Sequence, residues 1–255
     1  MKKPNATSWG RVADWYHALL SEGNTHHERV IAPNLARLLA LAKGERVLDV
    51  ACGEGYFTRR FSESGAEIVG VDISPELIAL AKKQSPESTF FAAPMEEMSF
   101  AEDGTFLKAF CVLALQNVEE PARGVKEVAR VLQHGGQFVI ILNHPCFRIP
   151  KRSSWGYDEK IKIQYRRLDG YLSGSKEKID MHPGKSARGE KTQETFSFHR
   201  PFQVYAKILA NAGFVIARIE EWESHRESEK GPRAEAEDRA RKEFPLFLAI
   251  VAEKR

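Results

Sequence analysis

Two glycines and two aspartates in the first third of the chain have the types and spacing of a nucleoside-binding turn. Asp49 lies at the end of an apolar segment, and Gly53 and Gly55 follow it in the turn. Asp72 ends the next apolar segment, 19 residues after Gly53. Glycines at such a turn let the backbone approach a ligand closely. A carboxylate at this spacing can accept hydrogen bonds from both hydroxyls of a ribose. The pattern therefore predicts a cofactor that contains a nucleoside.

Asp49 decides which cofactor the turn favours. A dinucleotide would place its pyrophosphate at this turn, where the Asp49 carboxylate would repel it. Thr58 also stands where the third glycine of the dinucleotide fingerprint belongs. S-adenosylmethionine reverses the electrostatics, because it carries an ammonium, a sulfonium and a single carboxylate. Asp49 can then accept from the ammonium, directly or through water. The residues favour S-adenosylmethionine over the nicotinamide cofactor of a dehydrogenase; a tight turn with two surface acids is the purely structural alternative.

The elements that must position these residues alternate between strand-like and helix-like segments. Strands are predicted for five short apolar segments, at residues 46–50, 67–71, 89–92, 109–115 and 137–142. Apolar residues at helical spacing predict helices between them, and the clearest is 121–132, which Gly135 and Gly136 follow. Such alternation is typical of a parallel sheet covered on both faces, so we predict an α/β fold.

Four segments together resemble class I S-adenosylmethionine-dependent methyltransferases. Residues 47–56, VLDVACGEGY, are similar to the first motif of that family, and residues 71–74, VDIS, to the second. Residues 90–100 resemble the third motif, and residues 126–136 resemble the helix and turn before strand five. The likeness is greatest to the small-molecule branch that includes quinone-biosynthesis methyltransferases. It implies a Rossmann-like, doubly wound sheet of seven strands, mostly parallel, whose last strand is antiparallel and lies between strands five and six.

The resemblance also implies which residues hold S-adenosylmethionine. Asp49 and the turn glycines would surround the methionine portion, Asp72 would hold the ribose, and Ile73 would pack on the adenine. Met95 would offer its backbone to the adenine edge, and Leu113 a backbone carbonyl to the ammonium. The full set of expected cofactor residues is Asp49, Ala51, Cys52, Gly53, Gly55, Asp72, Ile73, Met95, Glu96 and Leu113.

Two positions depart from the family pattern. Ala51 replaces a common glycine, which a small side chain is expected to tolerate. Pro94 stands where the family usually has an aspartate that binds the adenine amino group. We expect a neighbour such as Glu96 to replace that contact, so the departure bears on cofactor affinity rather than on cofactor identity.

Candidate catalytic and acceptor-binding residues follow the predicted fourth and fifth strands. Methyl transfer from a sulfonium is an in-line displacement, and it needs a general base only when the acceptor must lose a proton. His144 is the first candidate base and His199 the second; for His144 a loop histidine bonded to backbone is an equal alternative. The residues expected to contact the acceptor are Tyr16, Gln116, Asn117, Asn143, Tyr165 and Arg166.

Residues 144–200 interrupt the alternation without a sustained period, and we interpret them as an insertion that caps the acceptor pocket. Residues 148–200 contain 13 Lys and Arg against 7 Asp and Glu, a local net charge of 13 − 7 = +6, interleaved with aromatic residues. That mixture suits an anionic or aromatic small molecule, and it also suits RNA. Cys146 could serve as the nucleophile of an RNA methyltransferase, but no companion motif follows strand four.

The whole chain is predicted to be one methyltransferase domain of 255 residues. Its parts are a helical lid at 1–44, a cofactor-binding core at 45–143, the cap insertion at 144–200 and the C-terminal part of the sheet at 201–255. The net charge of 38 − 35 = +3 gives little attraction for a polyanion. We therefore favour transfer to an oxygen, nitrogen or carbon atom of a small molecule. An RNA methyltransferase and a non-catalytic S-adenosylmethionine-binding protein are the alternatives.

Three features of the composition bear on cellular context. The three cysteines fit no metal-ligand pattern, so no metal is expected. No apolar run is long enough to span a bilayer, and the amino terminus lacks the apolar stretch of a secretory signal. We expect a cytoplasmic enzyme without a membrane span, and the sequence leaves its oligomeric state open.

Overall fold

The computed structural model describes residues 23–180 and 194–255, and a seven-stranded sheet runs through this part of the chain. The strands of the described residues are β1 (Arg46–Val50), β2 (Glu67–Asp72), β3 (Thr89–Ala92), β4 (Phe106–Val112), β5 (Leu132–Asn143), β6 (Ser153–Asp158), β7 (Ile163–Leu168), β8 (Ser175–Asp180), β9 (Glu194–His199), β10 (Phe214–Trp222) and β11 (Phe247–Lys254). The central sheet has the order β10-β11-β5-β4-β1-β2-β3. The predicted doubly wound α/β sheet is confirmed.

The first five strands pair in parallel, so their carboxyl ends meet at one edge of the sheet. β1 lies between β2 and β4, β3 pairs with β2, and β5 pairs with β4. Asp49 lies opposite Gly70 and Asp72 lies opposite Ala92, which brings both aspartates to that edge. β1 and β2 are buried along nearly their whole length, as helices on both faces require.

The last strand runs against its neighbours, as predicted. β11 is antiparallel to both β5 and β10 and lies between them. Phe247, at the start of β11, therefore lies opposite Asn143, at the end of β5. The segment that enters β11 thus reaches the same edge as the carboxyl ends of the parallel strands.

Helices cover both faces of this sheet. They are α1 (Ala32–Leu39), which a π-helical turn at His27–Ile31 precedes, α2 (Tyr56–Ser62), α3 (Pro75–Gln84), α4 (Pro121–Val131), α5 (Phe202–Asn211) and α6 (Ala234–Glu243). α4 and α5 share one core cluster with the sheet, while α1 and α2 belong to the cluster on residues such as Val47 and Val139. Each fully buried leucine or phenylalanine in these clusters contributes roughly 1.5–3 kcal/mol. No helix among the described residues has the length and apolar character needed to cross a membrane.

The insertion contains regular structure that the sequence does not predict. β6 and β7 form one antiparallel hairpin, and β8 and β9 form a second. Neither hairpin joins the central sheet. Each strand is six residues long. β6, β7 and β8 have no fully buried residue, and the three buried residues of β9 are polar (Thr195, Ser197 and His199), so the hairpins lack the apolar runs that identify the central strands.

The charged stretch at 220–243 is only partly helical. β10 continues through Trp222, which is buried, and α6 begins at Ala234. Glu220 and Glu221 are therefore strand residues paired with β11. Trp222 packs in the same core cluster as α1 and α2, and that contact outweighs the helical preference of the neighbouring charged residues.

Candidate cofactor and acceptor site

Asp49 is a buried carboxylate near the end of β1. Its side chain is 2% exposed, and Thr58 donates its hydroxyl to Asp49 Oδ2 over 2.7 Å. Burial, with a smaller contribution from the charge of Asp72, raises the pKa of Asp49 to about 7. No lysine or arginine of the described chain forms an ion pair with it. A buried acid in this state favours either a proton or a cationic ligand.

Asp72 is held at the end of β2 by two backbone amides. Gly53 N–H donates to Asp72 Oδ2 over 2.9 Å, and Ser74 N–H donates to Oδ1 over 2.8 Å. Burial raises the pKa of Asp72 despite these two bonds. Each carboxylate oxygen keeps a second lone pair, so the oriented side chain can still accept from two hydroxyls of one ligand.

The turn between β1 and α2 has an unusual backbone. Ala51, Gly53 and Gly55 have φ angles of 57°, 56° and 78°, in the left-handed region. A Cβ at Gly55 would lie 2.9 Å from the ring of Phe90, so glycine is required there. Ala51 adopts the conformation that a glycine would take without strain, at a cost of roughly 1–2 kcal/mol. The replacement of the common glycine is therefore accommodated by the fold but not free of cost.

Glu54 supports this turn, and the sequence analysis did not identify it. Its side chain is 1% exposed. Arg59 Nη2 contacts Glu54 Oε1 over 2.8 Å, and Gln84 Nε2 donates to Glu54 Oε2 over 2.9 Å. These contacts tie the turn to α2 and α3. The signal available in the sequence was an acid between two glycines with an arginine five residues later.

Two adjoining pockets open at the carboxyl ends of β1, β2 and β4. Their volumes are about 400 Å³ and about 140 Å³. Both are lined by Ala51, Asp72, Ile73, Asn117 and Val118. Of the ten residues expected at the cofactor, seven line one or both pockets: Ala51, Gly53, Asp72, Ile73, Met95, Glu96 and Leu113. The other three, Asp49, Cys52 and Gly55, line neither pocket and belong to β1 and the turn.

The larger pocket has a wall from the second hairpin. Lys176, Thr195, Phe196 and Phe198 line it together with residues of β2 and with Ala93, which follows β3. Lys176 Nζ lies 4.7 Å from the centre of the Phe196 ring and contacts Glu119 Oε1 over 2.9 Å. The insertion therefore reaches the side of the site where Ile73, 52% exposed, presents an apolar surface.

The Leu113 carbonyl, expected at a ligand ammonium, is already engaged. It accepts from Gln116 Nε2 over 2.9 Å and from Asn117 Nδ2 over 3.3 Å. Asn117 lines both pockets, whereas Gln116 lines neither and is buried. Of this pair, only Asn117 is placed to contact a ligand in the two pockets.

His144, the first candidate base, has both ring nitrogens in use. Cys146 N–H donates to Nδ1 over 3.2 Å, so the proton of the neutral ring is on Nε2, which donates to Glu221 over 2.6 Å. The side chain is 2% exposed, and burial lowers its pKa although Glu221 opposes that shift. The ring has no free lone pair with which to accept a proton. This geometry matches the alternative, a loop histidine bonded to backbone.

The remaining expected residues are dispersed. His199 is buried and donates Nε2–H to the Tyr171 carbonyl over 2.7 Å. Asn143 is the last residue of β5. In the first hairpin Arg166 pairs with Trp155 and Tyr165 pairs with Gly156, so Tyr165 and Arg166 lie on opposite faces. Tyr16 lies outside the described residues. Within those residues, no three metal-ligating side chains gather into a metal site.

Comparison with known proteins gives consistent matches across most of the chain. The family described as "Methyltransferase domain" matches residues 48–140. The demethylmenaquinone methyltransferase of Chlorobaculum tepidum is 31% identical over 206 residues, which cover 79% of this chain and 78% of that protein. A crystal structure of an S-adenosylmethionine-dependent methyltransferase from Mesorhizobium loti is 28% identical with a TM-score of 0.65, over 87% of this chain and 96% of the other. A similar structure from Listeria monocytogenes, described as putative, is 25% identical with a TM-score of 0.67, over 88% and 96%.

Proposed function

The chain belongs to the S-adenosylmethionine-dependent methyltransferases and is an enzyme that uses this cofactor, and we propose that its acceptor is a small organic molecule. The methyl group would pass to an oxygen, nitrogen or carbon atom of that acceptor by in-line displacement. The name of the Chlorobaculum relative, which specifies demethylmenaquinone, supports a quinone-like acceptor class. The observation that carries the proposal is the pair of buried aspartates without a basic partner in the described chain, beside pockets large enough for a nucleoside.

The residues around the pockets fit S-adenosylmethionine. Asp49 lines neither pocket, so it would act on the positive charge of the methionine portion through water; a buried anion near a cation is stabilised most when no other counterion is present. Asp72 would accept from the ribose hydroxyls through its two remaining lone pairs. Ile73 and Met95 would contact the adenine, and Glu96 would stand in for the family aspartate that Pro94 replaces.

The chain's own residues need to supply little chemistry beyond alignment of the acceptor. The bound cofactor supplies a methyl group on a positively charged sulfur, which is a good leaving group. The enzyme's residues hold the acceptor atom in line with that methyl, and alignment of this kind is worth up to about 7–11 kcal/mol. Asn117, which lines both pockets, is the side chain we propose to orient the acceptor. We assign no proton transfer to His144, because both of its nitrogens are bonded.

We propose separate roles for the two hairpins of the insertion within one methyltransferase domain spanning 1–255. The second hairpin would cover the nucleoside, since Phe196 and Phe198 line the larger pocket. The first would border the acceptor, since it follows β5 directly. Residues 45–143 would form its cofactor-binding core and residues 201–255 the rest of the sheet. The lid predicted at 1–44 lies partly, at residues 1–22, outside the described residues.

The basic character of the insertion does not favour RNA. Arg152, Arg167, Lys176 and Lys178 each form an ion pair with a nearby acid. Their charges are therefore partly neutralised within the protein itself. A surface that attracts a polyanion needs unpaired cations along a continuous path, so we favour a small acceptor over RNA.

The proposed function is tested by cofactor binding and by methyl transfer on the same protein. Replacing Asp72→Asn should weaken S-adenosylmethionine binding about 10- to 100-fold, as loss of charged hydrogen bonds predicts. Calorimetry measures this change, and transfer of a labelled methyl to a panel of hydroquinones and phenols measures turnover. Asp103→Asn is the matched control, because Asp103 is an exposed acid paired with Arg130. Unchanged affinity in Asp72→Asn would contradict the site, and transfer to RNA rather than to the panel would contradict the acceptor class.

A further inference from the structure

We propose that a separate pocket, between the first hairpin and the start of β11, binds the carboxylate of an aromatic acceptor. We name it the basic aromatic pocket. It is lined by Phe147, Arg148, Trp155, Arg166, Phe244, Pro245 and Leu246. This inference rests on the proposed function, which it extends from a small organic acceptor to one that carries a negative charge.

The size and walls of the basic aromatic pocket suit a single planar ring. Its volume is about 140 Å³, and a cavity of about 150 Å³ holds one benzene molecule. The ring of Phe244 lies 5.4 Å from that of Trp155 and 5.5 Å from that of Phe147, edge to face in both cases. The ring of Phe244 therefore contacts the other two, and the three form an aromatic wall, against which a further ring could stack or approach by its edge.

Two guanidinium groups give this pocket its charge. Arg166 is fixed, because its Nε donates to the Phe147 carbonyl over 2.9 Å and its Nη2 to Ser153 Oγ over 2.8 Å. It also lies 4.9 Å from the centre of the Trp155 ring. Burial lowers the pKa of Arg148, and the nearby charge of Arg166 lowers it further. The two cations are therefore close enough to repel each other.

Neither arginine is neutralised by the protein in the part of the chain that the structure describes. No carboxylate there forms an ion pair with Arg148 or Arg166, in contrast to the paired Arg152 and Arg167 of the same insertion. Arg166 uses two of its five N–H groups, so donors remain for a ligand. A planar carboxylate matches the fork of a guanidinium better than a spherical anion does, and its attached ring matches the walls.

The pocket lies at the edge of the sheet where the cofactor site lies. Phe147 follows the end of β5 by four residues, and its ring is 4.8 Å from that of His144. Leu246 directly precedes β11, which begins beside the end of β5. β5 is two strands from β1, a separation of about 10 Å at ordinary strand spacing. An acceptor whose carboxylated ring is anchored here could span that distance only through a further group attached to the ring, which would carry the nucleophilic atom toward the methyl group.

The test uses the full chain and ligands that isolate each property of the pocket. Benzoate is the probe, benzyl alcohol is its neutral counterpart, and inorganic phosphate is an anion without a ring. Binding is followed by ligand-observed NMR and by the fluorescence of Trp155, with Trp155→Phe identifying its signal. We expect benzoate to bind at least tenfold more tightly than either benzyl alcohol or phosphate.

Arg148→Met is the decisive variant, since the Arg148 side chain makes no hydrogen bond within the described residues and its loss should not unfold the hairpin. It should weaken benzoate binding at least tenfold. Arg167→Met is the matched control, because Arg167 lies on the opposite face of the same strand and pairs with Asp169. Equal binding of benzoate and benzyl alcohol, tighter binding of phosphate, or full benzoate affinity in Arg148→Met would each overturn the inference. S-adenosylmethionine affinity measured on the same samples separates the two proposals, because its absence in the wild type would overturn the proposed function instead.

Discussion

The pair of acids at the ends of β1 and β2 shows how burial selects a ligand by charge. Burial raises the pKa values of both Asp49 and Asp72, which means that ionising them in the ligand-free protein costs free energy. A cationic nucleoside offsets that cost, whereas a pyrophosphate would increase it. In the proposed site, Asp49 would therefore also disfavour the dinucleotides that use similar turns.

A pH dependence of cofactor affinity follows from Asp49. Its pKa of about 7 means that most molecules carry a proton there at pH 6, and that proton must leave when the cation binds. We expect S-adenosylmethionine to bind roughly tenfold more weakly at pH 6 than at pH 7.5, with about one proton released per molecule bound at pH 6. Calorimetry in buffers of different ionisation enthalpy measures both quantities. Asp49→Asn should bind more weakly and show neither effect; a wild-type affinity that is constant from pH 6 to 7.5 would contradict the assignment.

The sequence could predict which residues lie together when they are near neighbours in the chain, but not when they are distant. Asp49, Gly53 and Asp72 lie within one strand–turn–helix–strand unit, so their spacing alone predicts that they meet at one edge of the sheet. His144 depends on Glu221, 77 residues later. Nothing local in the sequence indicates that this pair forms, so a candidate base could not be distinguished from a histidine with both nitrogens bonded.

At the scale of elements, the central strands could be predicted from the sequence and the hairpins could not. β1, β2 and β5 were predicted because strands buried on both faces are continuous apolar runs. The hairpins are half exposed and short, and Trp155 and Tyr165 stand among charged residues with no clear alternation. Contacts between residues that are distant in the sequence hold the hairpins in place. Trp155 of the first hairpin contacts Phe244, and Phe196 and Phe198 of the second hairpin line the larger pocket.

The second hairpin provides an element-level prediction, because its Phe196 is a 42% exposed aromatic ring at a ligand pocket. Phe196→Ala should weaken S-adenosylmethionine and its demethylated product by the same factor, about tenfold, since stacking of this kind is worth about 1–1.5 kcal/mol. Equilibrium binding of both ligands, without any acceptor, measures the effect. Leu172→Ala removes another exposed apolar side chain from the same insertion and should change neither affinity. Loss of turnover in Phe196→Ala with both affinities intact would instead assign this hairpin to the acceptor.

At the scale of the whole molecule, the described N-terminal segment contacts both the start of β11 and the helix that follows the cofactor turn. His26 lies edge-on to Phe247 of β11, with ring centres 5.8 Å apart. His27 lies 6.0 Å from Phe57 of α2, the helix that follows the cofactor turn. Both contacts partly bury the imidazole rings, and burial disfavours the protonated, charged form of each ring. The segment therefore packs best against the rest of the protein when both histidines are neutral.

Burial makes this packing sensitive to acid, and lowers the pKa of both His26 and His27 to about 4. Because the unfolded chain takes up these protons near pH 6.5, the contribution of each histidine is complete above pH 6.5 and declines as the pH falls toward 4. Asp49 acts in the opposite direction, since its folded pKa of about 7 exceeds its unfolded value and favours folding as acid is added. The contributions of the histidines and of Asp49 therefore oppose each other, and the free energy of unfolding of the wild type should vary little between pH 7.5 and 5.

The variant His27→Phe should reveal the contribution of His27 to the pH dependence of the unfolding free energy. The ring still fills the space beside Phe57, but it has no proton to gain, so the free energy of unfolding at pH 5 should rise relative to pH 7.5 by about 1–2 kcal/mol more than in the wild type. Urea unfolding at the two pH values measures this difference. His134→Phe, at an exposed position, should behave like the wild type. Asp49→Asn should shift the difference in the opposite sense, because the group that favours folding in acid is gone. Parallel pH profiles of the unfolding free energy for His27→Phe and the wild type, with a different profile for Asp49→Asn, would contradict this prediction. In that case His27 is protonated as easily in the folded chain as in the unfolded one, and the N-terminal contact is not the acid-sensitive part of the molecule.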